Sequence, residues 1–327
     1  MAAIFAAPEH RWLALIVGNT RLHWGAFAGG DLLMQWHSRH LQPEEAIALY
    51  QSGFASSQWG RILATATVQD ALEGGEQTAA LLEQDVSLPP DWGAVPLYSA
   101  SVVPHQTVLW QEYFGWREIT LENLPLGNLY PTLGIDRALN LLGAGARYGW
   151  PVLVVDGGTA LTFTAGGNGQ KPGADPPVLL GGAILPGVGM QFRALGQHTA
   201  ALPTVAVAPP DRALVDRRYR WATDTPSAIR SGILHSIAAT VEDYLTAWAT
   251  DFPQSSVVFT GGDGGIIYDL IHSRLGHPVP IPGDALAASP QSIALTGLNL
   301  VLYHDSEIPF WGLQQARAWA QDQSKSL

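Results

Sequence analysis

The spacing of apolar positions changes repeatedly between a period of two and a period near 3.6. An apolar run over 12–17 enters a Gly18-Asn19-Thr20 turn and leaves as an alternating strand over 21–27. Strand-like runs recur over 61–67 and 95–103, with helix-period stretches over 44–50 and 77–84. The Pro- and Gly-bearing segment "LENLPLGNLYPTLG" (121–134) interrupts this pattern and predicts a linker, dividing the chain into 1–129 and 130–327. Beyond it the pattern predicts a helix over 137–148, a strand "PVLVVD" (151–156) and an alternating strand "TALTFTAG" (159–166). A loop over 166–177 follows, then an apolar stretch over 179–188 and an amphipathic helix over 225–248. The strand "SSVVFT" then runs through "GGDGG" into a helix over 266–274, and the tail over 307–327 reads as one more amphipathic helix. Strands alternating with helices predict an α/β architecture.

Two stretches share a pattern. "LALIVGNTRLHW" (13–24) and "LVVDGGTALTF" (153–163) are each an apolar strand, a tight Gly turn carrying Thr, and an alternating strand. Aligned on Gly18 and Gly158, Asp156 falls opposite Ile16. One copy in each half suits a duplicated domain, although two independent hairpins share the same pattern.

Composition narrows the class. Hydrophobic residues make up 47% of 327 positions and charged residues 14%, which describes a folded globular chain. The formal net charge of −11 and the lack of a Lys/Arg cluster speak against nucleic acid as a partner. There is no cysteine, which excludes thiol chemistry and fits a reducing cytoplasm. No run reaches the ~18 apolar residues that a bilayer span needs, and the first residues lack a basic signal-peptide start, so a cytoplasmic protein without membrane contact is expected.

Phosphate handling needs backbone N–H donors on a Gly-rich turn, a hydroxyl, and a carboxylate to organise a cation. "DGGT" (156–159) offers all three, while also being the sequence of an ordinary hairpin turn. The turn after Val17 has the donors and no acid. In "GIDRALNLLGAGARYG" (134–149), Asp136 falls in the first turn of a helix, where the dipole favours an ionised carboxylate suited to a general base. Arg137 is adjacent and points about 100° away on a helix, toward a different substrate group. "FTGGDGG" (259–265) lets backbone approach a flat ligand, and "LLGGAILPGVG" (179–189) suits a loop over a cleft. The ten histidines are dispersed with no pair at metal-ligand spacing, and read as structural.

In order, "GNT" (18–20), "SVVP" (101–104), "GIDR" (134–137), "DGGTALTF" (156–163), "GGAILPG" (181–187), "TAALP" (199–203), "TPSAIRSGI" (225–233), "FTGGDG" (259–264) and "LTGLNL" (295–300) resemble the type III pantothenate kinases, the Bvg accessory factor-like family. "WLALIVGNTRLHWG" and "PLYSASVVPHQTVLWQ" are most similar to cyanobacterial members. The resemblance implies duplicated actin-like, ribonuclease H-like domains of the acetate/sugar kinase–heat-shock–actin superfamily, with an interdomain cleft and a homodimeric assembly. It implies transfer of the γ-phosphoryl group of ATP to pantothenate, the first step of coenzyme A biosynthesis. On the matching positions, Asp136 is the implied proton acceptor, and Gly134, Ile135, Asp136 and Arg137 line pantothenate together with Thr225. By the same resemblance, Ile16, Val17, Gly18, Asn19, Thr20, Arg21, Leu22 and His23 are expected to hold ATP phosphates together with Thr159. Asp156 is the implied ligand of a monovalent cation, K⁺ or NH₄⁺, and Mg²⁺ is expected with ATP. One position departs from the family, whose first motif is Asp-x-Gly-Asn-Thr: Ile16 stands where the acid is expected. That departure keeps open a catalytically impaired binding homologue, and a kinase of another small alcohol is the remaining alternative.

Overall fold

Seven consecutive buried residues make β1 (Arg11–Val17) the centre of a five-stranded sheet. A strand covered on both faces has no reason to alternate, which is why its sequence reads as an unbroken apolar run. The computed structural model describes residues 10–63, 93–170, 175–205, 220–274, 291–295 and 298–325. The helix expected over 77–84 lies outside them.

β2 (Leu22–Ala28) and β3 (Asp31–Ser38) follow β1 as an antiparallel meander. β4 (Leu97–Ser101) and β5 (Trp116–Glu118) add in parallel on the other side, giving the order β3-β2-β1-β4-β5. One face packs Leu13, Leu15, Trp24 and Trp36 against Ala46 and Leu49 of helix α1 (Pro43–Gln51), Trp59 and Trp110. Residues 61–63 correct the strand expected over 61–67: they end a helical segment over 56–63. Trp59 and Ile62, three apart, both enter the same core, a spacing that only a helix can present on one side.

The second sheet repeats the topology. β6 (Val152–Gly157), β7 (Ala160–Gly167) and β8 (Val178–Pro186) form an antiparallel meander. β9 (Ser256–Thr260) adds to β6 in parallel, β11 (Leu298–His304) adds to β9 in parallel, and β10 (Gln291–Leu295) closes the edge. Three antiparallel strands followed by two parallel ones thus occur twice, which is the duplication the paired turns suggested. The core of this sheet comes from Val155, Leu161, Phe163, Val257 and Phe259, covered by the long helix that begins at Thr225. α4 (Thr225–Asp251) buries Ile229, Ile233, Ile237, Val241, Leu245 and Trp248 at helical spacing, and the Asp224 side chain caps it by accepting the Ser227 N–H at 2.9 Å.

β8 replaces the loop expected at "LLGGAILPGVG". Glycines and a proline mark turns in most contexts, but β8 ends the sheet, and an edge strand tolerates both. Gly181, at a φ of +149°, sits where the β7–β8 register skips Leu180 in a bulge. Helix α3 (Val188–His198) follows it, and helix α5 (Gly264–Arg274), expected from the sequence, follows β9.

Backbone contacts divide the chain into two units. The first holds the described residues up to Pro125, Tyr130–Gly143 and those from Pro309 onward. The second holds Leu126–Leu129 and Ala144–Ile308. The sequence boundary at 129/130 differs from this division: helix α2 (Ile135–Tyr148) starts in the first unit, so Asp136 belongs there. The C-terminal helix α6 (Ile308–Lys325) covers the other face of the first sheet. Its Trp311 ring meets Phe27, the Phe310 ring fills the space a side chain on Gly25 would take, and the Arg317 guanidinium lies over Trp12 at 4.6 Å and Tyr98 at 5.1 Å.

Candidate active site

Within the first unit, β1 and β4 run parallel, so their carboxyl ends share one edge, the usual ligand edge of such sheets. The turn leaving β1 closes with the Gly18 N–H donating to the Arg21 carbonyl at 3.0 Å. Asn19 and Thr20 are exposed at its tip. His40 reaches the turn from behind: its Nε2 lies 2.8 Å from the Gly18 carbonyl, which only accepts, so that nitrogen carries the proton. His23 lies under the turn, where a side chain on Gly18 would come within 3.6 Å of its Nε2. The His23 and His37 rings meet edge to face at 4.7 Å. Burial, with His37 and Arg21 beside it, lowers His23 to about 3, and burial with Arg21 also lowers His37. Both imidazoles are therefore neutral near pH 7. This pairing leaves no mark along the chain, because it is made by the β2–β3 register (His23 opposite His37) and not by sequence spacing.

Asp136 sits in the first turn of α2, half-buried, its Oδ1 accepting the Arg137 N–H at 2.8 Å. A Cβ on Gly134 would overlap that carboxylate oxygen, so a side chain there would push the Asp136 carboxylate out of this position. Ile135 is buried. The Arg137 side chain is also buried and donates from Nη1 to the Tyr130 hydroxyl at 3.0 Å.

In the second unit, three glycine turns stack on one another. The β6–β7 turn carries Asp156, Gly157, Gly158 and exposed Thr159. The turn after β9 folds onto it, with the Asp263 N–H donating to the Gly157 carbonyl at 2.7 Å. Gly261 has a φ of +84°, and a Cβ there would strike the Asp156 carboxylate and lie 2.8 Å from the Gly157 backbone, so two independent reasons demand glycine. The turn before α3 arrives from the other side, where the Gly187 N–H donates to the Thr159 carbonyl at 3.2 Å. "TGGD" and "LPG", far apart in sequence, thus both pack on the "DGGT" turn, and the Gly261 position of "TGGD" lies against the Asp156 carboxylate. Thr225 is exposed at the start of α4 and lines a concavity of about 570 Å³ with Leu195, Leu202, Ile229, Ile233 and Ser236.

The duplicated sheets place Ile16 and Asp156 at equivalent points. Asp156 stands between Thr162 on β7 and Thr260 on β9. Ile16 stands between His23 on β2 and Ala100 on β4. One row is carboxylate and hydroxyl; the other offers no oxygen side chain at all. Among the described residues, no group of three or more His, Cys, Asp or Glu side chains could hold a metal ion. Nor is any helix among them long and apolar enough to cross a membrane.

The profile of the type III pantothenate kinase family matches residues 12–247. A type III pantothenate kinase from Nostoc sp. is 44% identical over 265 residues, covering 81% of this chain and 86% of the relative. The Synechocystis sp. type III pantothenate kinase is 40% identical over 260 residues, covering 80% of each. Solved structures align more loosely: component A of (R)-2-hydroxyglutaryl-CoA dehydratase from Acidaminococcus fermentans has 11% identity and a TM-score of 0.42, covering 96% of this chain and 99% of that one. A ROK hexokinase from Thermus thermophilus has 13% identity and a TM-score of 0.37, over 94% of this chain and 98% of that one. On the matched length and identity, the chain belongs to the type III pantothenate kinase family.

Proposed function

We infer that this chain phosphorylates pantothenate with ATP to give 4′-phosphopantothenate, the first step of coenzyme A biosynthesis. The observation that carries the reading, beside family membership, is the intact "GIDR" turn, with Asp136 held by the Arg137 N–H and by the space Gly134 leaves. In this reading the pantothenate hydroxyl attacks the γ-phosphorus, a new O–P bond forms, and the bond to the β–γ bridging oxygen breaks to release ADP. Asp136 accepts the hydroxyl proton. Gly134, Ile135, Arg137 and Thr225 are the proposed pantothenate contacts. Residues 16–23 and Thr159 are the proposed phosphate contacts, through backbone N–H groups and hydroxyls. Phosphoryl transfer depends on positioning and charge neutralisation more than on covalent chemistry, so this sparse set is sufficient in kind.

A divalent ion accompanies ATP and neutralises charge on its phosphates. The row through Ile16 offers it no carboxylate, which supports binding through the nucleotide itself. Asp156 is the proposed site for a monovalent cation: its carboxylate lies between two threonines against glycine backbone, an all-oxygen surrounding that suits K⁺ or NH₄⁺. A homodimer is proposed from the family, supported by exposed Leu180 and Ile184 on edge strand β8. The absence of cysteine supports a cytoplasmic location.

The test is a K⁺-dependent pantothenate kinase assay on purified protein. Asp136→Asn is expected to lower kcat by about 10²–10⁴ with little change in the KM for ATP. Product absent from wild type saturated with both substrates would sink the kinase reading; wild-type rates in Asp136→Asn would remove Asp136 as base. A second reading, a binding homologue with lost turnover, is favoured by one observation, Ile16. It predicts ligand binding without product.

A further inference from the structure

Cross-strand partners in an antiparallel pair lie on one face with Cβ atoms about 4.5–5.5 Å apart. Thr162 is the β7 partner of Asp156, at the strand end where the three glycine turns meet. Its side chain is 8% exposed. Its hydroxyl has no accessible surface to speak of and no hydrogen-bond partner among the described residues. Leaving a buried hydroxyl unsatisfied destabilises the fold, and native chains keep few such groups without a use. Replacing it with an apolar isostere such as valine would remove that cost, so the hydroxyl is held at a stability disadvantage beside a carboxylate.

We propose that the Thr162 hydroxyl is a second oxygen ligand of the monovalent cation held by Asp156. The inference rests on the reading of Asp156 as the cation residue. The separation between the two side chains is one that a single cation can span, and a threonine oxygen supplies a lone pair without adding charge. A monovalent ion facing one carboxylate is then neutralised, not overcompensated. The second sheet alone can do this, since His23 and Ile16 occupy the matching pair in the first. Thr260, the neighbour on the other side, is 1% exposed and completes the row.

The experiment measures thermal unfolding of full-length protein with an ATP analogue present, across a KCl titration at constant chloride balanced with N-methylglucamine. Wild type is expected to gain stability with K⁺, because a ligand bound only by the folded state raises the midpoint. Asp156→Asn is expected to lose that gain. Thr162→Val is expected to shift the K⁺ midpoint upward by about tenfold or more, as loss of a metal-site partner does, while being at least as stable as wild type without K⁺. Thr162→Ser restores the hydroxyl and is expected to restore the midpoint. If Thr162→Val keeps the wild-type midpoint while Asp156→Asn loses the response, the Thr162 proposal is overturned and the Asp156 reading stands. If wild type shows no K⁺ response, or Asp156→Asn retains it, the Asp156 reading falls and takes the proposal with it.

Discussion

Gly312 sits inside the 18-residue helix α6, where helix propensity favours alanine by about 1 kcal/mol. The packing argues the other way. A Cβ at Gly312 would lie 2.6 Å from the Leu139 carbonyl carbon and 2.9 Å from its Cα, backbone atoms of α2 three residues beyond Asp136. The Leu139 carbonyl oxygen is nearer still, and carbon contacts relax only at about 3.5 Å, so α6 has to retreat by about 0.9 Å or more. A gap of that size forfeits a quarter to a half of each contact's attraction, and α6 carries Phe310 on Gly25, Trp311 on Phe27 and Arg317 on Trp12. Overpacking costs about 1–3 kcal/mol, and a backbone neighbour has no rotamer through which to yield, so the upper end applies. Less the propensity gain, Gly312→Ala is expected to destabilise by about 2 kcal/mol. Gly232 is the control: it is exposed on α4, a Cβ there meets nothing within 4 Å, and Gly232→Ala is expected to stabilise by about 0.5–1 kcal/mol. Urea and thermal unfolding of the two variants against wild type decide the matter. A Gly312→Ala protein as stable as wild type would refute the close-approach argument.

Three further outcomes are expected. Because His23 is lowered to about 3 in the folded state against 6.5 unfolded, the unfolded chain binds more protons between these values. Stability therefore falls as pH drops from 6.5 toward 3, by at most ~1.4 kcal/mol per unit from this residue; His23→Gln flattens that slope in pH-dependent urea unfolding, and an unchanged slope would count against a desolvated imidazole. Glu242→Gln removes a charge from a two-pronged contact (2.7 and 2.9 Å) to Arg274, whose side chain is 5% exposed. The expected loss is about 2–3 kcal/mol, below the range for fully buried pairs because Glu242 is a quarter exposed; a midpoint within error of wild type would show the pair to be idle. Ile16→Asp places a carboxylate at a position 4% exposed beside His23, and is expected to cost about 2–4 kcal/mol without a tenfold gain in kcat/KM. A large rate gain would show that the first turn does need its acid.

Much of the fold was legible because its signals are local. β1, β6 and β9 are apolar runs ending in glycine turns, and α4 repeats its buried residues every three or four positions. The C-terminal helix was visible from its pattern alone, but its place on the first sheet was not, since only Phe310, Trp311 and Arg317 meeting Gly25, Phe27 and Trp12 decide it. β8 was hidden because glycine and proline signal a turn locally, whereas an edge strand accepts both. The segment 61–63 was hidden because a short apolar run fits either period until Trp59 and Ile62 are seen in one core.

The sequence by itself determined the chemistry available: a carboxylate at the start of a helix, a second one in a Gly-rich turn, and an isoleucine where the family has an acid. Tertiary structure decided which of those groups have neighbours that matter. Strand register put Thr162 beside Asp156 and His23 beside Ile16, and backbone contacts grouped the start of the Asp136 helix with the first sheet. Residue types are written along the chain, but register is settled by how many side chains a sheet can bury at once. A single-residue slip would carry each of these side chains to the opposite face.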